Sequence, residues 1–203
     1  MSAFDHVPPH TMRSAVLSDD KRAALLDWAL GHQAALTPSR VTGDIHKPGG
    51  REAFSFYGDP PWKQWLTERI DALLPGILPE LGMPAFAPSG FEVELVAYTD
   101  GCFIARHRDT GTGMGRHKQD RIVSMVYYLH REPKGFDGGQ LRLWPLMPAP
   151  SGAQGFVDIA PLQNGLVAFP SWAVHEVLPV HVPSQRYDDA RFAINIWAQR
   201  AHA

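Results

Sequence analysis

Phe103-Ile104-Ala105-Arg106-His107-Arg108-Asp109 is the stretch on which the reading of this chain turns. An apolar run ends there in a histidine and an aspartate separated by one residue. If the run is extended, its period of two puts both side chains on one face of a strand. A neutral imidazole and a carboxylate so placed supply two ligands on an octahedral metal. A second histidine from elsewhere completes a 2-His-1-carboxylate face that leaves positions open for small molecules. The pair by itself is a weak signal. With 10 histidines and 21 acidic residues in 203, about one His-x-Asp/Glu is expected by chance. His130-Arg131-Glu132 is such a competitor, and it runs straight into Pro133-Lys134-Gly135, a turn signal.

The second histidine should open a strand that neighbours the first. Residues 165–169 read as a strand, Pro170-Ser171 as a turn, and His175 opens the next strand; His181, beside Pro179 and Pro183, is the weaker candidate. Taken alone, His175 is more often a hydrogen-bonded structural residue than a ligand. A third element changes the weighing. In Arg191-Phe192-Ala193-Ile194-Asn195-Ile196-Trp197 the residues Arg191, Ala193 and Asn195 share one face, and Phe192, Ile194 and Ile196 the other. A guanidinium on an inner strand face is costly unless an anion meets it, and arginine grips a carboxylate bidentately. Small Ala193 leaves room for that ligand, and Asn195 can hydrogen-bond it. The structural alternative for Arg191 is a surface salt bridge to Asp188 or Asp189. Arg186, in the polar run 183–189, is its rival as carboxylate binder.

Around these residues the chain reads as a single domain, 1–203, with a helical support region over 1–90 and a β core over 91–198. A helix is expected over 18–30, capped by Ser18, Asp19 or Asp20 and stopped by Gly31. A second follows Asp59-Pro60-Pro61, with Asp59 as cap, and ends at Pro75-Gly76. Residues 37–50 read as loop and 51–57 as a short strand. Strands are expected over 91–98, 103–107, 121–129, 140–144, 165–169, 175–180 and 191–197, rich in β-branched and aromatic residues. Residues 110–120, with three glycines beside Arg116, His117 and Lys118, read equally as a solvated hairpin loop or a lid over the site. Apolar content is ordinary at 44%. The formal charge of −2 gives no bulk attraction to nucleic acid or anionic membranes. One cysteine, Cys102, excludes an internal disulfide and suits a reducing compartment. The first residues lack a signal-peptide pattern, so a cytoplasmic protein without membrane or nucleic-acid partners is expected. Oligomeric state leaves no trace in the pattern.

Taken jointly, several pieces resemble the Fe(II)- and 2-oxoglutarate-dependent dioxygenases, specifically the prolyl 4-hydroxylase-like branch. They are Val96-Ala97-Tyr98-Thr99-Asp100-Gly101, His107-Arg108-Asp109 and Arg121-Ile122-Val123-Ser124-Met125-Val126-Tyr127-Tyr128-Leu129. Gly138-Gly139-Gln140-Leu141-Arg142-Leu143, His175-Glu176-Val177-Leu178-Pro179-Val180 and the 191–197 strand follow in order. The resemblance covers about 91–198. It implies a mainly β, double-stranded β-helix (jelly-roll) core with helices packed on one outer face. It also implies Fe(II), 2-oxoglutarate and O2 as cofactor and cosubstrates, with ascorbate a candidate reductant. By position, His107, Asp109 and His175 would ligate iron, and Arg191 and Tyr128 would bind the distal carboxylate of 2-oxoglutarate. Asn195 falls where a hydroxyl-bearing residue is common, Tyr98 where a tyrosine lines the pocket, and Arg121 near a protein-substrate groove. The segment between His175 and Arg191 is longer than in that branch by about the length of 183–189.

The activity implied is hydroxylation of an unactivated C–H, with a prolyl or other amino-acid residue of a protein or peptide as substrate, releasing succinate and CO2. Asp109 itself favours hydroxylation over halogenation, since halogenating relatives carry a small residue there. A free amino acid or small peptide natural product is the rival substrate. Readings from other classes are a non-catalytic jelly-roll module that senses metal and 2-oxoglutarate, and a metal enzyme that does not use 2-oxoglutarate.

Overall fold

The alternation legible in 191–197 continues over eleven residues, and the layers of the molecule are stacked on it. The computed structural model describes residues 7–39, 51–110, 119–147 and 155–201. Strand β14 (Arg191–Ala201) lies between β7 (Gln119–Leu129) and β5 (Gly90–Tyr98) in a seven-stranded sheet. The order there is β1 (Thr11–Arg13), β11 (Gly165–Pro170), β7, β14, β5, β4 (Phe54–Phe56) and β2 (Thr37–Pro38). A five-stranded sheet has the order β10 (Val157–Ile159), β9 (Leu141–Trp144), β12 (Val174–Val177), β6 (Phe103–His107) and β3 (Arg51–Glu52). A separate ribbon pairs β8 (Asp137–Gly138) with β13 (Val180–His181). All pairings are antiparallel, as in the sheets β7/β14 and β6/β12.

The period of two sorts the central sheet into two faces. Phe192, Ile194, Ile196 and Ala198 pack with Leu95, Ala97, Met125 and Tyr127 against two helices. The helices are α1 (Asp19–Gly31) and α2 (Lys63–Glu80), and they bring Leu25, Ala29, Leu66, Ile70, Leu74 and Ile77 to that layer. The opposite face, with Val96, Tyr98, Val126, Tyr128, Val167, Phe169 and Ala193, closes on Ile104, Leu141, Leu143 and Val177 of the smaller sheet. Burying these side chains at roughly 25 cal/mol per Å2 is what holds the three layers together. The expected architecture, facing antiparallel sheets with helices on one outer face, is the one found. Among the described residues no helix is long and apolar enough to cross a membrane.

Three local expectations need correction. Helix α2 does not stop at Pro75-Gly76 but runs to Glu80 with Pro75 and Pro79 inside it. The prolines remove donors to the carbonyls of Asp71 and Pro75, yet Ile77 and Leu78, at most 3% exposed, keep the last turns docked on the sheet. Asp59 does not cap this helix; the N-cap is Trp62 without a side-chain bond, and the Asp59 carboxylate accepts from Lys63 Nζ at 2.8 Å. The strand expected over 51–57 divides at buried Ala53, β3 pairing with β6 and β4 with β5, so this segment passes from one sheet to the other. Ser18 does cap α1, accepting from Lys21 N. Most of the 110–120 segment, and of the 37–50 loop, lies outside the described residues.

Candidate active site

His107 ends β6, Asp109 follows it, and His175 lies in β12, where it stands directly opposite His107 in the pairing register. The ligand atoms of these three residues lie within 4.8 Å of one another, the one such cluster of His, Cys, Asp or Glu among the described residues. The two rings are 4.1 Å apart at their centroids. Nε2 of His107 is 3.6 Å from Asp109 Oδ1, and Nε2 of His175 is 3.6 Å from Asp109 Oδ2. Each imidazole meets a carbonyl of its own strand with Nδ1: His107 at 2.9 Å from Ala105 O, His175 at 3.0 Å from Ala173 O. A carbonyl only accepts, so Nδ1 carries the proton and Nε2 turns its lone pair inward, as a metal ligand requires.

A bulge brings His107 to this point. His175 pairs with His107 while Val177 pairs with Ile104, so four residues of β6 span three of β12. Ala105 and Arg106 together oppose Glu176, and the strand changes parity between Ile104, which packs between the sheets, and His107. Simple alternation from Ile104 would have sent His107 to the other face.

Asp109 is almost wholly enclosed, with 9% of its side chain exposed. Burial pushes its carboxyl up, but the imidazoles of His175 and His107, then the Ser124 hydroxyl and the Trp197 indole, outweigh burial and hold it below the usual carboxylate range. Ser124 Oγ donates to Asp109 Oδ2 at 2.6 Å. Sequence reasoning passed over Ser124. Its signal was available, as the one serine on the inward parity of the apolar run 122–129, which it shares with Val126 and Tyr128.

A second feature lies further along the same inner face. Arg191 is 1% exposed, and Nε, Nη1 and Nη2 have no hydrogen-bond partner among the described residues. Its guanidinium faces the rings of Tyr98 at 4.5 Å and Tyr128 at 5.0 Å. The Tyr128 hydroxyl is likewise buried and unbonded; burial pushes it up to about 12 against the pull of Arg191. The turn Gly138-Gly139 makes room for the Arg191 stem. A Cβ on Gly139, whose φ is +67°, would stand 2.6 Å from Arg191 Cδ. The salt bridge that would have explained Arg191 structurally is not made. Asp188 bonds Arg131 and Arg186, and Asp189 accepts from Ser184. Arg186 is exposed and paired, outside the inner face.

The remaining residues singled out by sequence are placed as follows. Asn195 shares the inner face, but its amide donates to Glu94 Oε2 at 3.3 Å. Tyr98 is buried beside Arg191. Arg121 is engaged with Glu92 through Nε at 2.9 Å and Nη2 at 2.5 Å, and lies 3.8 Å over the Trp197 ring. His181 is an exposed partner of Asp100, and His130 bonds the Arg131 carbonyl; neither approaches a ligand cluster.

Two facing antiparallel sheets with two histidines and a carboxylate inside define, in class, a jelly-roll with a 2-His-1-carboxylate face able to hold a divalent metal ion. The chain belongs to the 2OG-Fe(II) oxygenase superfamily, whose sequence profile matches residues 93–199. It is 32% identical over 193 residues to an uncharacterized PKHD-type hydroxylase of Synechocystis sp., a match over 91% of this chain and 61% of that protein. The chain therefore spans less than two thirds of this curated relative's length. Its structure is similar to a Pseudomonas putida prolyl-4-hydroxylase, with a TM-score of 0.68, 25% identity and coverage of 95% and 94% of the two chains. It is also similar in fold to a Trichoplax adhaerens prolyl hydroxylase solved with a hypoxia inducible factor peptide fragment, with a TM-score of 0.69, 21% identity and coverage of 93% and 82%. Fe(II) and 2-oxoglutarate are the groups this family implies, and the residues fit both. The triad offers two nitrogens and a carboxylate to the metal, and the buried cation with its unbonded tyrosine suits a carboxylate.

Proposed function

We propose that this chain is an Fe(II)- and 2-oxoglutarate-dependent hydroxylase acting on an unactivated C–H of a prolyl or other amino-acid residue in a protein or peptide. The observation that carries the reading is Arg191: a fully enclosed guanidinium whose three nitrogens have no hydrogen-bond partner among the described residues, on the inner face of the seven-stranded sheet that closes on the strands carrying the histidines. An unpaired buried charge is costly, and a dicarboxylate removes that cost. The prolyl preference is supported by the solved prolyl hydroxylases to which the structure is similar.

In this reading His107, Asp109 and His175 hold Fe(II), while Arg191 grips the distal carboxylate of 2-oxoglutarate and Tyr128 donates to it. Together the bound groups supply oxidation of the C–H by O2, with 2-oxoglutarate decarboxylated to succinate and CO2 and one oxygen atom delivered as the hydroxyl. The protein's share is placement. The Nδ1 bonds of both histidines fix their rings, and Phe169, 4.8 Å from the His175 ring, backs that ligand. Val96, Val126, Val167 and Ala193 keep water from the inner face. Tyr98 stacks on the guanidinium, and Asn195 lines the wall beside Glu94.

The test is an anaerobic titration of the protein with Fe(II) and 2-oxoglutarate, watching for the weak visible charge-transfer band of the chelate. A band that His175→Ala abolishes supports the reading, and succinate release with proline-containing peptides then defines the substrate. Folded, iron-loaded protein without a band would sink it and leave the metal-only enzyme or the inert module.

A further inference from the structure

We propose that the buried hydroxyl pair Ser124–Ser171 is a positioning device. It locks Asp109 in its ligating orientation before metal arrives and leaves Oδ1 as the oxygen offered to the ion. The inference rests on the reading of His107, Asp109 and His175 as the metal site and goes beyond it to the residues that set that site's affinity.

The geometry is specific. Ser124 and Ser171 are at most 1% exposed. Ser124 Oγ lies 2.6 Å from Asp109 Oδ2 and 2.8 Å from Ser171 Oγ. Ser124 has one proton, and an ionised carboxylate can only accept. The carboxylate therefore accepts the single O–H of Ser124, and Ser171 donates its own to Ser124 Oγ in turn. A relay of two hydroxyls that ends on a charge is a short, charge-assisted contact in a dry setting, where such contacts are strongest. It removes the two-fold rotation about the end of the aspartate side chain that would otherwise let the oxygens exchange.

Ser171 also works through its backbone. Its carbonyl accepts from Asp109 N at 3.1 Å and Thr110 N at 3.2 Å, and its own N–H donates to Ile122 O at 3.1 Å. The turn that holds Ser171 is closed by Ala173 N on Pro170 O at 2.8 Å, and the Ala173 carbonyl is the one that orients His175. One four-residue turn between β11 and β12 thus holds the aspartate arm through Ser171 and the histidine arm through Ala173. The pairing register adds the third support, since Ser124 stands opposite Phe169 on one side and Trp197 on the other.

The test measures Co(II) affinity of the apo-protein, without 2-oxoglutarate, by competition with a chromophoric chelator, together with the Co(II) absorption spectrum and thermal unfolding of the apo-form. Loss of an outer hydrogen-bonding partner lowers metal affinity by about 10- to 100-fold. Ser124→Ala should fall in that range and change the Co(II) spectrum, while Ser124→Thr, which keeps the hydroxyl, should stay close to wild type. Ser171→Ala should weaken binding in the same direction by less, and it carries the test if Ser124→Ala does not fold. Co(II) affinity unchanged in Ser124→Ala and Ser171→Ala, with His107→Ala unable to bind, would overturn the positioning role alone. Equal losses in Ser124→Ala and Ser124→Thr would also overturn it, by showing that shape rather than the hydroxyl matters. Co(II) binding that survives His107→Ala would overturn the metal site itself and the positioning role with it.

Discussion

Two arginines of the central sheet have the same chemistry and opposite circumstances. Arg121, in β7, meets the Glu92 carboxylate with two nitrogens and rests on the Trp197 ring, with 20% of its side chain exposed. Arg191, at the start of β14, also lies over aromatic rings but is 1% exposed and bonds nothing through its nitrogens among the described residues. Stacking is common to both, so stacking does not mark function. The difference is in hydrogen bonding. Arg121 has found its anion within the fold, and Arg191 meets no anion among the described residues. A cation that evolution has buried without a partner is destabilising as it stands, which ties its presence to a ligand.

The largest effect should come from Arg191→Met. Removing two charge-assisted hydrogen bonds at about 1.5 kcal/mol or more each predicts a loss of 2-oxoglutarate affinity of at least about 100-fold. The apo-protein should unfold no more easily than wild type and should gain up to about 4 kcal/mol, because an apolar chain replaces an unpaired buried charge. Denaturant unfolding of apo wild type and variant, each with and without 2-oxoglutarate, reads both quantities. An apo-variant that is markedly less stable would break the comparison, since it would mean that Arg191 is already satisfied.

Gly139→Ala acts on the same pocket from outside it. The new Cβ would stand 2.6 Å from Arg191 Cδ and 2.9 Å from Val180 Cγ2, on a backbone with φ of +67°. The left-handed conformation costs a non-glycine residue about 1–2 kcal/mol, so stability falls, and the displaced guanidinium should bind 2-oxoglutarate about tenfold more weakly, near 1.4 kcal/mol. In an Arg191→Met background the binding effect should vanish while the stability loss remains. A double-mutant cycle on affinity makes that check.

The same contrast separates what could be read from the sequence from what could not. β14 is a strand of unbroken alternation, so the parity of Arg191, Ala193 and Asn195 was legible and with it the inward arginine. What sets Arg191 apart from Arg186 is burial, because parity says nothing about a residue in a turn. β6 is the opposite case. The spacing of His107 and Asp109 was visible, but the bulge at Ala105 and Arg106 that turns His107 inward depends on the register against β12, which no local pattern encodes. Helix α2 ran past Pro75-Gly76 because tertiary packing of Ile77 and Leu78 overrode local propensity. The short edge strands β1 and β10 have too few residues for a period to show. Ser124 shows in the sequence only as a serine of inner parity, and its meeting with Ser171 and Asp109 is made by the fold.

Tyr128→Phe should have an intermediate effect. One hydrogen bond from a neutral donor to a carboxylate is worth about 1.5 kcal/mol, or roughly tenfold in 2-oxoglutarate affinity. Apo stability near neutral pH should not fall and should rise by about 1–3 kcal/mol, since the buried hydroxyl has no partner among the described residues and phenylalanine carries no such desolvation cost. The alkaline limb adds a second readout. Burial raises this hydroxyl to about 12 in the folded protein, above the ordinary tyrosine value near 10. Its contribution is therefore complete below about pH 10, where both states hold the proton, and is lost as pH climbs towards about 12 while the unfolded chain releases it. The slope is about 1.4 kcal/mol per pH unit for one proton. Tyr127 and Tyr187 are raised as well, so the difference between wild type and Tyr128→Phe isolates the one residue. Identical alkaline slopes would place the Tyr128 hydroxyl in contact with water and weaken its part in the pocket.

Arg121→Met is the control on the other side of the comparison and should do least. A partly exposed ion pair contributes no more than about 1 kcal/mol, so a small loss of stability is expected, with 2-oxoglutarate affinity within about twofold of wild type. Glu92 occupies Nε and Nη2, and a guanidinium has five N–H donors. The Nη1 edge is therefore the part of Arg121 left to meet a peptide substrate, should one dock beside this strand. If Arg121 serves only the fold, Glu92→Gln and Arg121→Met should be equivalent in stability and neither should change KM for a peptide substrate. A KM that rises in Arg121→Met but not in Glu92→Gln, at unchanged 2-oxoglutarate affinity, would show that a satisfied arginine also reads substrate. Hydrogen bonding within the fold would then cease to separate structural from functional arginines in this sheet.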